Sequence, residues 1–318
     1  MQVIEQEKKE ILWSVREILN WTTKRFSESG IETPLLDSQL LLSRVLNLSK
    51  IQLYIEIDKP LTEKERILFR ELVKKRLKGE PVSYLLNEKY WHDIKLFVDN
   101  RVLIPRPETE TMLDFVLQKC KLKNEKPEVI FDLCTGSGCL AIALAKKYPE
   151  AKVVGIDLSK DAIDVCIKNA ELNSVSNVTW INADVTNMDL FKMLSLEYKK
   201  ADIIVSNPPY VTEEEWQKLD AGVKDYEPKM ALVCDDNGLK IGKNILQYIT
   251  DFKLLNKNSI FAMELAEKQP QKIDNNINKI IQINHPMWNM PINEWFALCD
   301  YEGKDRFLVR IEQDSKIE

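Results

Sequence analysis

Histidine and paired cysteines are scarce in this chain of 318 residues, and each shortage argues against a class of site. Only two histidines occur, His92 and His285, so a histidine-based metal centre or a Ser-His-Asp triad has little to draw on. The six cysteines form no C-x-x-C pair, which argues against a zinc knuckle and favours reduced thiols that fill small apolar gaps. We therefore expect no metal site.

The chain also lacks a basic excess and a long apolar run. It carries 45 Lys and Arg against 50 Asp and Glu, a formal net charge of −5, whereas nucleic-acid enzymes usually show a basic footprint. No apolar stretch approaches the roughly 20 residues of a membrane span. The first residues, Met1 to Glu7, have neither an apolar signal core nor an Arg-rich transit pattern. These absences predict a cytoplasmic protein that binds neither nucleic acid nor a membrane.

Glycine is rare, yet two of the nine glycines fall in one turn. Gly136 and Gly138 stand between the apolar stretches 130–133 and 139–145, a pattern that predicts a buried strand, a tight turn and a helix. A second predicted strand ends at Asp157, nineteen residues past Gly138. An acidic residue at about this distance can hold ribose hydroxyls. The pattern indicates a nucleoside site.

The same turn could serve a dinucleotide or S-adenosylmethionine. It is not a full G-x-G-x-x-G, because Cys134 occupies the first glycine position, and the chain has no G-x-x-x-x-G-K-[ST] phosphate loop. Neither the cysteine at the first glycine position nor the missing phosphate loop favours binding of a pyrophosphate group. A loop that only packs a helix on a strand is the structural alternative.

The tetrapeptide Asn207-Pro208-Pro209-Tyr210 follows the apolar run 201–206. Proline has no backbone N–H and fixes φ, so this corner is stiff and rich in acceptors. The carbonyls of Asn207 and Pro208 and the Asn207 side-chain oxygen can receive both hydrogens of an NH₂ group, and Tyr210 offers a flat face. The tetrapeptide could also be a strand-ending turn. Beside a nucleoside site, it suggests methyl transfer to a planar nitrogen.

Further motifs carry a family resemblance. In chain order they are the run Lys78 to Tyr84, which reads KGEPVSY, then Tyr90-Trp91, and then the run Arg101 to Glu110, which reads RVLIPRPETE. Together with the tetrapeptide, in this order, they resemble the PrmC (HemK) family. Its members are N5-glutamine methyltransferases that modify peptide chain release factors with S-adenosylmethionine. The resemblance runs from about Leu35 to Arg310.

The resemblance implies an α/β fold of the class I S-adenosylmethionine-dependent methyltransferases: a Rossmann-like, mostly parallel, seven-stranded sheet with a small N-terminal helical domain. It implies methylation of the release factor's GGQ glutamine. The cofactor contacts would be Asp132, Cys134, Thr135, Gly136, Ser137, Gly138, Asp157, Asp184, Val185 and Asn207. The substrate contacts would be Arg106, Glu108, Asn207, Pro208, Pro209 and Tyr210, with Asn207, Pro208 and Tyr210 catalytic.

Three features depart from the family pattern. Cys134 replaces the more usual glycine, and Val185 stands where some relatives carry an aromatic residue beside the adenine. The stretch 285–297 is unlike the family, and its Met and Trp residues could form core or a partner surface. Arg106 and Glu108 could also belong to a rigid linker that caps a helix from Thr109 to Cys120.

The pattern predicts three regions. Residues 1–80 form a helical domain, to which the resemblance assigns substrate recognition, residues 81–108 a connector with a β-hairpin between Tyr84 and Asn100, and residues 109–318 the Rossmann-like domain. Helices are expected from about Glu5 to Ser29, after Pro34, and from Thr62 to Gly79, where Glu65 completes a capping box. The basic third helix could meet an acidic partner or be a solvated face. Late strands are expected at 258–264 and 306–311. We expect a monomer.

Two other functions fit parts of the pattern. An adenine N6-methyltransferase would also use the acceptors at Asn207, with the base flipped out of its duplex. A non-catalytic adaptor could keep the fold and bind a translation factor. The acidic balance and the motif at 104–107 argue against the first, and the intact Asp132, Asp157 and Asn207 argue against the second.

Overall fold

The computed structural model describes residues 13–123, 126–273, 279–282 and 290–313. The chain divides into two compact units, one that ends at Leu86 and one that begins at Asn87.

The first unit is helical. Its described helices are α1 (Val15–Glu28), α2 (Pro34–Leu46), α3 (Lys50–Ile55), α4 (Glu63–Leu77) and α5 (Val82–Leu86). Fully buried apolar side chains fill its core, among them Phe26, Leu41, Leu42 and Leu53. The unit therefore has a core of its own.

Helix boundaries in this unit follow capping chemistry. Ser14 and Thr62 each form a capping box, with Glu17 and Glu65 respectively. The helices after Pro34 and Thr62 are confirmed. The first helix was predicted to begin near Glu5, but α1 begins at Val15, because Ser14 caps it and has an extended backbone. The prediction is therefore wrong at residues 13 and 14. The remainder of that predicted start, residues 5–12, lies outside the described residues.

The second unit is built on one mixed sheet. Among the described residues it has eight strands in the order β5-β4-β3-β6-β7-β10-β9-β8. The strands are β3 (Val129–Leu133), β4 (Lys152–Asp157), β5 (Val178–Asn182), β6 (Ala201–Ser206), β7 (Leu255–Glu264), β8 (Ile280–Ile281), β9 (Trp295–Cys299) and β10 (Asp305–Ile311). Only β10 pairs antiparallel with its neighbours in this described sheet.

The sheet has one strand more than the resemblance implies, because the two-residue β8 extends its edge beside β9. The late strands expected at 258–264 and 306–311 are confirmed as β7 and β10, and β7 begins three residues earlier. Of the unusual stretch 285–297, residues 285–289 lie outside the described residues. Met290 is buried, and the ring of Trp295 packs edge-on against Phe261, so these two residues belong to the core.

The strand order reverses between β3 and β6. From β3 the chain proceeds outward through β4 and β5, and then returns to place β6 and β7 on the other side of β3. In open α/β sheets, ligands bind at the carboxyl ends of the strands beside such a reversal. The fold thus places the end of β3 and the end of β6 at one crevice.

Helices connect and cover the strands. They are α6 (Pro107–Lys123), α7 (Cys139–Lys147), α8 (Lys160–Leu172), α9 (Met188–Tyr198), α10 (Glu213–Trp216), α11 (Ala221–Lys224), α12 (Asp235–Gly238), α13 (Lys240–Asp251) and α14 (Gln269–Ile273), with a 3₁₀ turn at Lys229–Ala231. The fully buried Phe131, Ile204 and Phe261 of the strands pack with apolar residues of α9 and α13. None of the described helices is both long enough and apolar enough to cross a membrane.

The segment before α6 contains the expected hairpin in a narrower form, as β1 (Lys89–Trp91) and β2 (Ile94–Leu96) in antiparallel pairing. Tyr84 lies in α5 rather than in the hairpin. The helix expected from Thr109 to Cys120 begins two residues earlier in α6, at Pro107, because a proline suits the first helical position.

Asn169 of α8 and Asn173, the residue that caps the end of this helix, fasten the hairpin segment to the unit. Asn169 Oδ1 accepts from the Phe97 N–H at 2.6 Å, and its Nδ2 donates to the Phe97 carbonyl at 3.0 Å. Asn173 makes the same pair of bonds with Lys95, at 3.4 and 2.8 Å. Spaced four apart on the helix, the two side chains match residues two apart on the extended chain.

Candidate functional site

A cleft lies at the carboxyl ends of β3, β4 and β6. Of the residues that sequence reasoning assigned to a site, those that line this cleft are Arg106, Cys134, Thr135, Gly136, Ser137, Asp157, Asp184, Val185, Asn207 and Pro209. Glu108, Asp132, Gly138, Pro208 and Tyr210 are not among the lining residues described. The cleft therefore brings together the glycine turn and the first and third residues of the tetrapeptide.

The glycine turn is bent by three residues with positive φ. They are Cys134 at 63°, Gly136 at 57° and Gly138 at 82°. Gly136 has open space where a Cβ would stand, whereas a Cβ on Gly138 would lie 3.1 Å from the Trp180 ring. Gly136 therefore lets the backbone approach a ligand, and at Gly138 both the positive φ and the tight space behind the turn favour glycine.

Gly155 of β4 permits a second close approach behind the turn. A Cβ at this position would lie 2.3 Å from the Trp180 ring, well inside a clash. The indole of Trp180 therefore occupies the space above Gly155 and supports the turn from the sheet side. Sequence reasoning gave neither residue a role.

Asp132 supports the turn from beneath and does not line the cleft. Its Oδ2 accepts from Thr135 Oγ1 at 2.5 Å and from the Ala141 N–H at 3.0 Å. Within the described part of the chain its buried Oδ1 has no partner. Burial raises the pKa of this carboxyl to about 7. Asp132 thus joins β3, the turn and the start of α7.

Asp157 connects the end of β4 to the same turn. Its Oδ2 accepts from the Gly136 N–H at 2.8 Å, and its Oδ1 accepts from the Ser159 N–H at 2.9 Å. Burial raises the pKa of this carboxyl. Because each carboxylate oxygen has further lone pairs, Asp157 can still accept from two hydroxyls in the cleft.

Asp184 and Val185 follow β5 and line the cleft beyond Asp157. Asp184 Oδ1 accepts from the Thr186 N–H and from Thr186 Oγ1, both at 2.7 Å. Val185 is buried, 6% exposed. This end of the cleft offers an acceptor next to an apolar surface, which suits an adenine ring with its amino group.

Long-range hydrogen bonds hold the tetrapeptide and the residue before it in place. Ser206, immediately before it, donates to the Leu133 carbonyl at 2.7 Å. Asn207 Nδ2 donates to Thr109 Oγ1 at 3.1 Å. Tyr210 OH donates to Glu264 Oε1 at 3.2 Å. Asn207 is thereby fixed at the edge of the cleft, immediately after β6.

Tyr210 departs from the role expected of it. Its hydroxyl is engaged by Glu264, and burial beside that carboxyl raises the pKa of the phenol. Gln269 Nε2 also donates to the Tyr210 carbonyl at 3.0 Å. The residue holds the corner of the chain in place, and no flat face of Tyr210 lines the cleft as described.

Arg106 lines the cleft, and its guanidinium forms an ion pair with a buried carboxylate. Its Nη2 lies 2.7 Å from Glu227 Oε1, and the Glu227 side chain is only 1% exposed. Glu227 Oε2 also accepts from the Ile104 N–H at 3.0 Å. One buried carboxylate therefore joins the motif 101–110 to the loop after β6, and both segments border the cleft. Glu108 instead lies in the first turn of α6.

Sequence reasoning missed three residues of this region: Thr109, Glu227 and Glu264. Thr109 lies inside the quoted motif 101–110, but its partners are distant in the chain. Glu264 ends the buried strand β7 and is itself 1% exposed. A carboxylate directly after an apolar run was the signal that could have identified it, since buried acids require partners.

Comparisons with known proteins agree along most of the chain. A model described as the PrmC N-terminal domain matches residues 17–86, and one described as a methyltransferase domain matches residues 124–307. The second match, together with the mostly parallel sheet, confirms the predicted fold class.

Two similar relatives are both named release factor glutamine methyltransferase. The one from Chlorobaculum tepidum is 39% identical over 260 residues, which cover 80% of this chain and 86% of that protein. The one from Geobacter sulfurreducens is 34% identical over 267 residues, covering 84% and 89% respectively. A solved structure, the human methyltransferase 10 domain containing protein, is 16% identical with a TM-score of 0.43 and covers 67% of this chain and 86% of its own.

Proposed function

The chain belongs to the family of release factor glutamine methyltransferases, and we propose that it methylates the side-chain amide nitrogen of a glutamine in a peptide chain release factor. The methyl donor is S-adenosylmethionine, and the products are N5-methylglutamine and S-adenosylhomocysteine. The glutamine is that of the GGQ motif. One observation carries the proposal: Asn207, with its amide acceptor, and Asp157, which binds the glycine turn, line the same cleft.

The residues of the cleft suit S-adenosylmethionine. Asp157 would accept from the ribose hydroxyls, and Asp184 with Val185 would receive the adenine. Gly136 has no side chain and faces open space, so the methionine part of the donor could lie close to the backbone there. The donor supplies a methyl group bonded to a positively charged sulfur.

The substrate nitrogen requires help from the protein. An amide nitrogen is a poor nucleophile because its lone pair is delocalised into the carbonyl, the resonance behind the rotational barrier of roughly 18–20 kcal/mol. If Asn207 Oδ1 and the Pro208 carbonyl accept its two hydrogens, they stabilise the positive charge that develops on nitrogen during attack. That interaction is stronger in the transition state than in the ground state.

The step balances without a strong base. A nitrogen–carbon bond forms as the carbon–sulfur bond breaks, and the sulfonium becomes a neutral thioether. The methylated nitrogen is then acidic, so its extra proton passes to water or a nearby carboxylate. The protein's remaining contribution is to hold nitrogen, carbon and sulfur in line.

Replacement of Asn207 by alanine tests the site. We expect Asn207→Ala to lower the rate of methyl transfer to a release factor by about 10²–10³-fold, the usual cost of losing one group that stabilises transition-state charge. Binding of S-adenosylmethionine should survive. Radiolabel transfer measures the first quantity and calorimetry the second.

Asn256→Ala is a matched control, since Asn256 donates to Asp202 at the opposite ends of β6 and β7. It should leave the rate unchanged. Undiminished transfer by Asn207→Ala would refute the assigned role. The wild-type protein should label a release factor and neither DNA nor RNA; label on nucleic acid alone would overturn the proposed substrate.

A further inference from the structure

A chain of hydrogen bonds lies behind Asn207 and ends at a buried carboxylate. Asn207 Nδ2 donates to Thr109 Oγ1 at 3.1 Å, and Thr109 Oγ1 donates to Glu264 Oε2 at 2.7 Å. Glu264 is 1% exposed and Thr109 is 2% exposed. The three residues come from the loop after β6, the first turn of α6 and the end of β7.

The direction of each bond in this chain is fixed by chemistry. An ionised carboxylate only accepts, so the single hydroxyl proton of Thr109 must point to Glu264. Thr109 Oγ1 then presents a lone pair to Asn207, and only the NH₂ of that amide can donate to it. The carbonyl oxygen Oδ1 remains as the polar atom of the Asn207 amide that can face a substrate.

Without that constraint the Asn207 amide has two nearly equivalent orientations. The NH₂ and C=O groups of a carboxamide are almost the same size, so a half-turn exchanges them at little steric cost. The wrong orientation would place an NH₂ donor against the NH₂ of the substrate glutamine. Two donors that face each other leave both unsatisfied and remove the stabilisation on which methyl transfer depends.

We propose that Glu264 is a positioning residue, which acts through Thr109 to keep Asn207 Oδ1 directed at the substrate amide. The proposal rests on the function proposed above and extends it to two residues outside the tetrapeptide. Glu264 touches neither substrate nor cofactor in this account. It sets the polarity of the acceptor that does.

Two further observations support a carboxylate at this position. Tyr210 OH donates to the other oxygen, Glu264 Oε1, at 3.2 Å, so that the carboxylate is held on both sides. Glu264 also has no ion-pair partner within 4.0 Å among the described residues; its recorded partners are hydroxyls. Burying a charged group without a cation is costly, and a purely structural position would be served better by an apolar side chain.

The charged and titratable groups around Glu264 act in opposite directions. The net pKa of Glu264 is raised to about 7: burial is the main cause, Glu108 of α6 also raises it, and Arg306 of β10 lowers it. Thr109 and Tyr210 also lower it by donating to the charged form. Kinetic comparison at about pH 8.5, above that pKa, keeps the carboxylate ionised.

Four variants separate polarity from packing. Glu264→Met and Thr109→Val remove the acceptor and the hydroxyl respectively. Glu264→Gln and Thr109→Ser keep them, because the Gln oxygen can still accept from Thr109. We expect the first pair to lower kcat with a release factor by on the order of 10-fold, the worth of one lost hydrogen bond. The second pair should stay within about 3-fold of wild type.

The Michaelis constants distinguish this role from general damage. Because each variant changes only the acceptor for one amide group, the KM for the release factor should change little, and the dissociation constant of S-adenosylmethionine should stay within about 2-fold. Ser259→Ala, which removes another fully buried polar group of β7, serves as a control and should leave kcat unchanged.

The outcomes are distinct. Full kcat in Thr109→Val, or a loss in Glu264→Gln as large as in Glu264→Met, would overturn the positioning role while leaving the proposed function intact. Thr109→Val and Thr109→Ser decide the matter if Glu264→Met does not fold. A wild-type protein that transfers no methyl group to a release factor would overturn the proposed function, and this inference with it.

Discussion

At the residue scale, close packing behind the glycine turn leaves no room for a side chain at position 155. Gly155 faces the Trp180 ring, and an added Cβ would stand 2.3 Å from it. The ring belongs to β5, and it would have to shift to admit a Cβ at position 155. The requirement at position 155 is therefore space, since its φ is not in the left-handed range.

Gly155→Ala should destabilise the protein by about 1–3 kcal/mol, the usual cost of overpacking a core. The free energy of unfolding in urea measures this. Gly30→Ala is a useful comparison, because a Cβ there meets nothing within 4 Å and only its φ of 76° is unfavourable. If Gly155→Ala unfolds at the wild-type urea midpoint, the close packing on Trp180 is not as described.

The residues that sequence could identify are those with a local signature. Asp157 is the last residue of one apolar strand, and Asn207 directly follows another. The reversal of strand order places both residues in one cleft. Thr109 and Glu264 were missed because their contacts are not local. Asn207 lies 98 residues from Thr109, and Glu264 lies 155 residues from it. No spacing rule links such positions before the sheet order is known.

At the scale of elements, α8 joins the hairpin segment to the glycine turn. Asn169, fully buried, donates from Nδ2 to the Ser137 carbonyl at 2.9 Å as well as bonding to Phe97. Asn173 bonds to Lys95 and to the carbonyl of Asn169 but not to the turn. Both asparagines thus hold the hairpin segment, and of the two, Asn169 alone also bonds to the glycine turn.

Asn169→Ala should weaken binding of S-adenosylmethionine by about 5-fold or more, since the Ser137 carbonyl loses its partner and holding the turn in its binding geometry then costs about 1 kcal/mol more. Asn173→Ala should lower stability while leaving that affinity unchanged. Calorimetric titration of both variants measures the contrast. Equal affinities in the two variants would show that the Ser137 contact does not shape the site.

Element boundaries were predictable where capping is local. Thr62 with Glu65 and Pro34 mark the starts of α4 and α2, and the structure confirms both. The start of α1 was misjudged, because apolar spacing continues upstream of Ser14 while Ser14 itself caps the helix. Two short elements, α5 and β8, have too few residues to show a period.

At the scale of the whole molecule, buried carboxyls make stability depend on pH. Burial raises the pKa of Asp132 to about 7 from an ordinary value of 3.8. The folded chain therefore binds this proton more tightly than the unfolded chain does. The stabilisation is complete below the ordinary pKa and is lost as the pH rises to about 7.

The difference in unfolding free energy between wild type and Asp132→Asn should therefore shift against the wild type from about pH 4 to about pH 7, and then level off. Denaturant titrations of both proteins at each pH measure it. Groups with lowered pKa values, such as Asp99 beside Arg101, are present in both proteins and cancel. A difference that stays constant with pH would mean that the Asp132 carboxyl is ionised in the folded protein throughout this range.

The architecture as a whole was predictable because several signals agree. The order of the strands before β7, the glycine turn and the tetrapeptide all specify one α/β arrangement, and the sheet confirms it. Sequence could not supply the hydroxyl and carboxyl contacts behind the cleft, since they depend on which strand ends become neighbours. Those neighbours are set by the sheet order and not by any single segment.

The distant support of Asn207 bears on how such chains are identified from sequence. A homologue that keeps all four letters of the tetrapeptide but lacks a hydroxyl equivalent to Thr109, or an acceptor equivalent to Glu264, should transfer methyl groups on the order of 10-fold more slowly. Genome surveys that rely on the tetrapeptide alone would count such slowed enzymes as fully active. A three-position signature, read from α6, the end of β6 and the end of β7, would separate them.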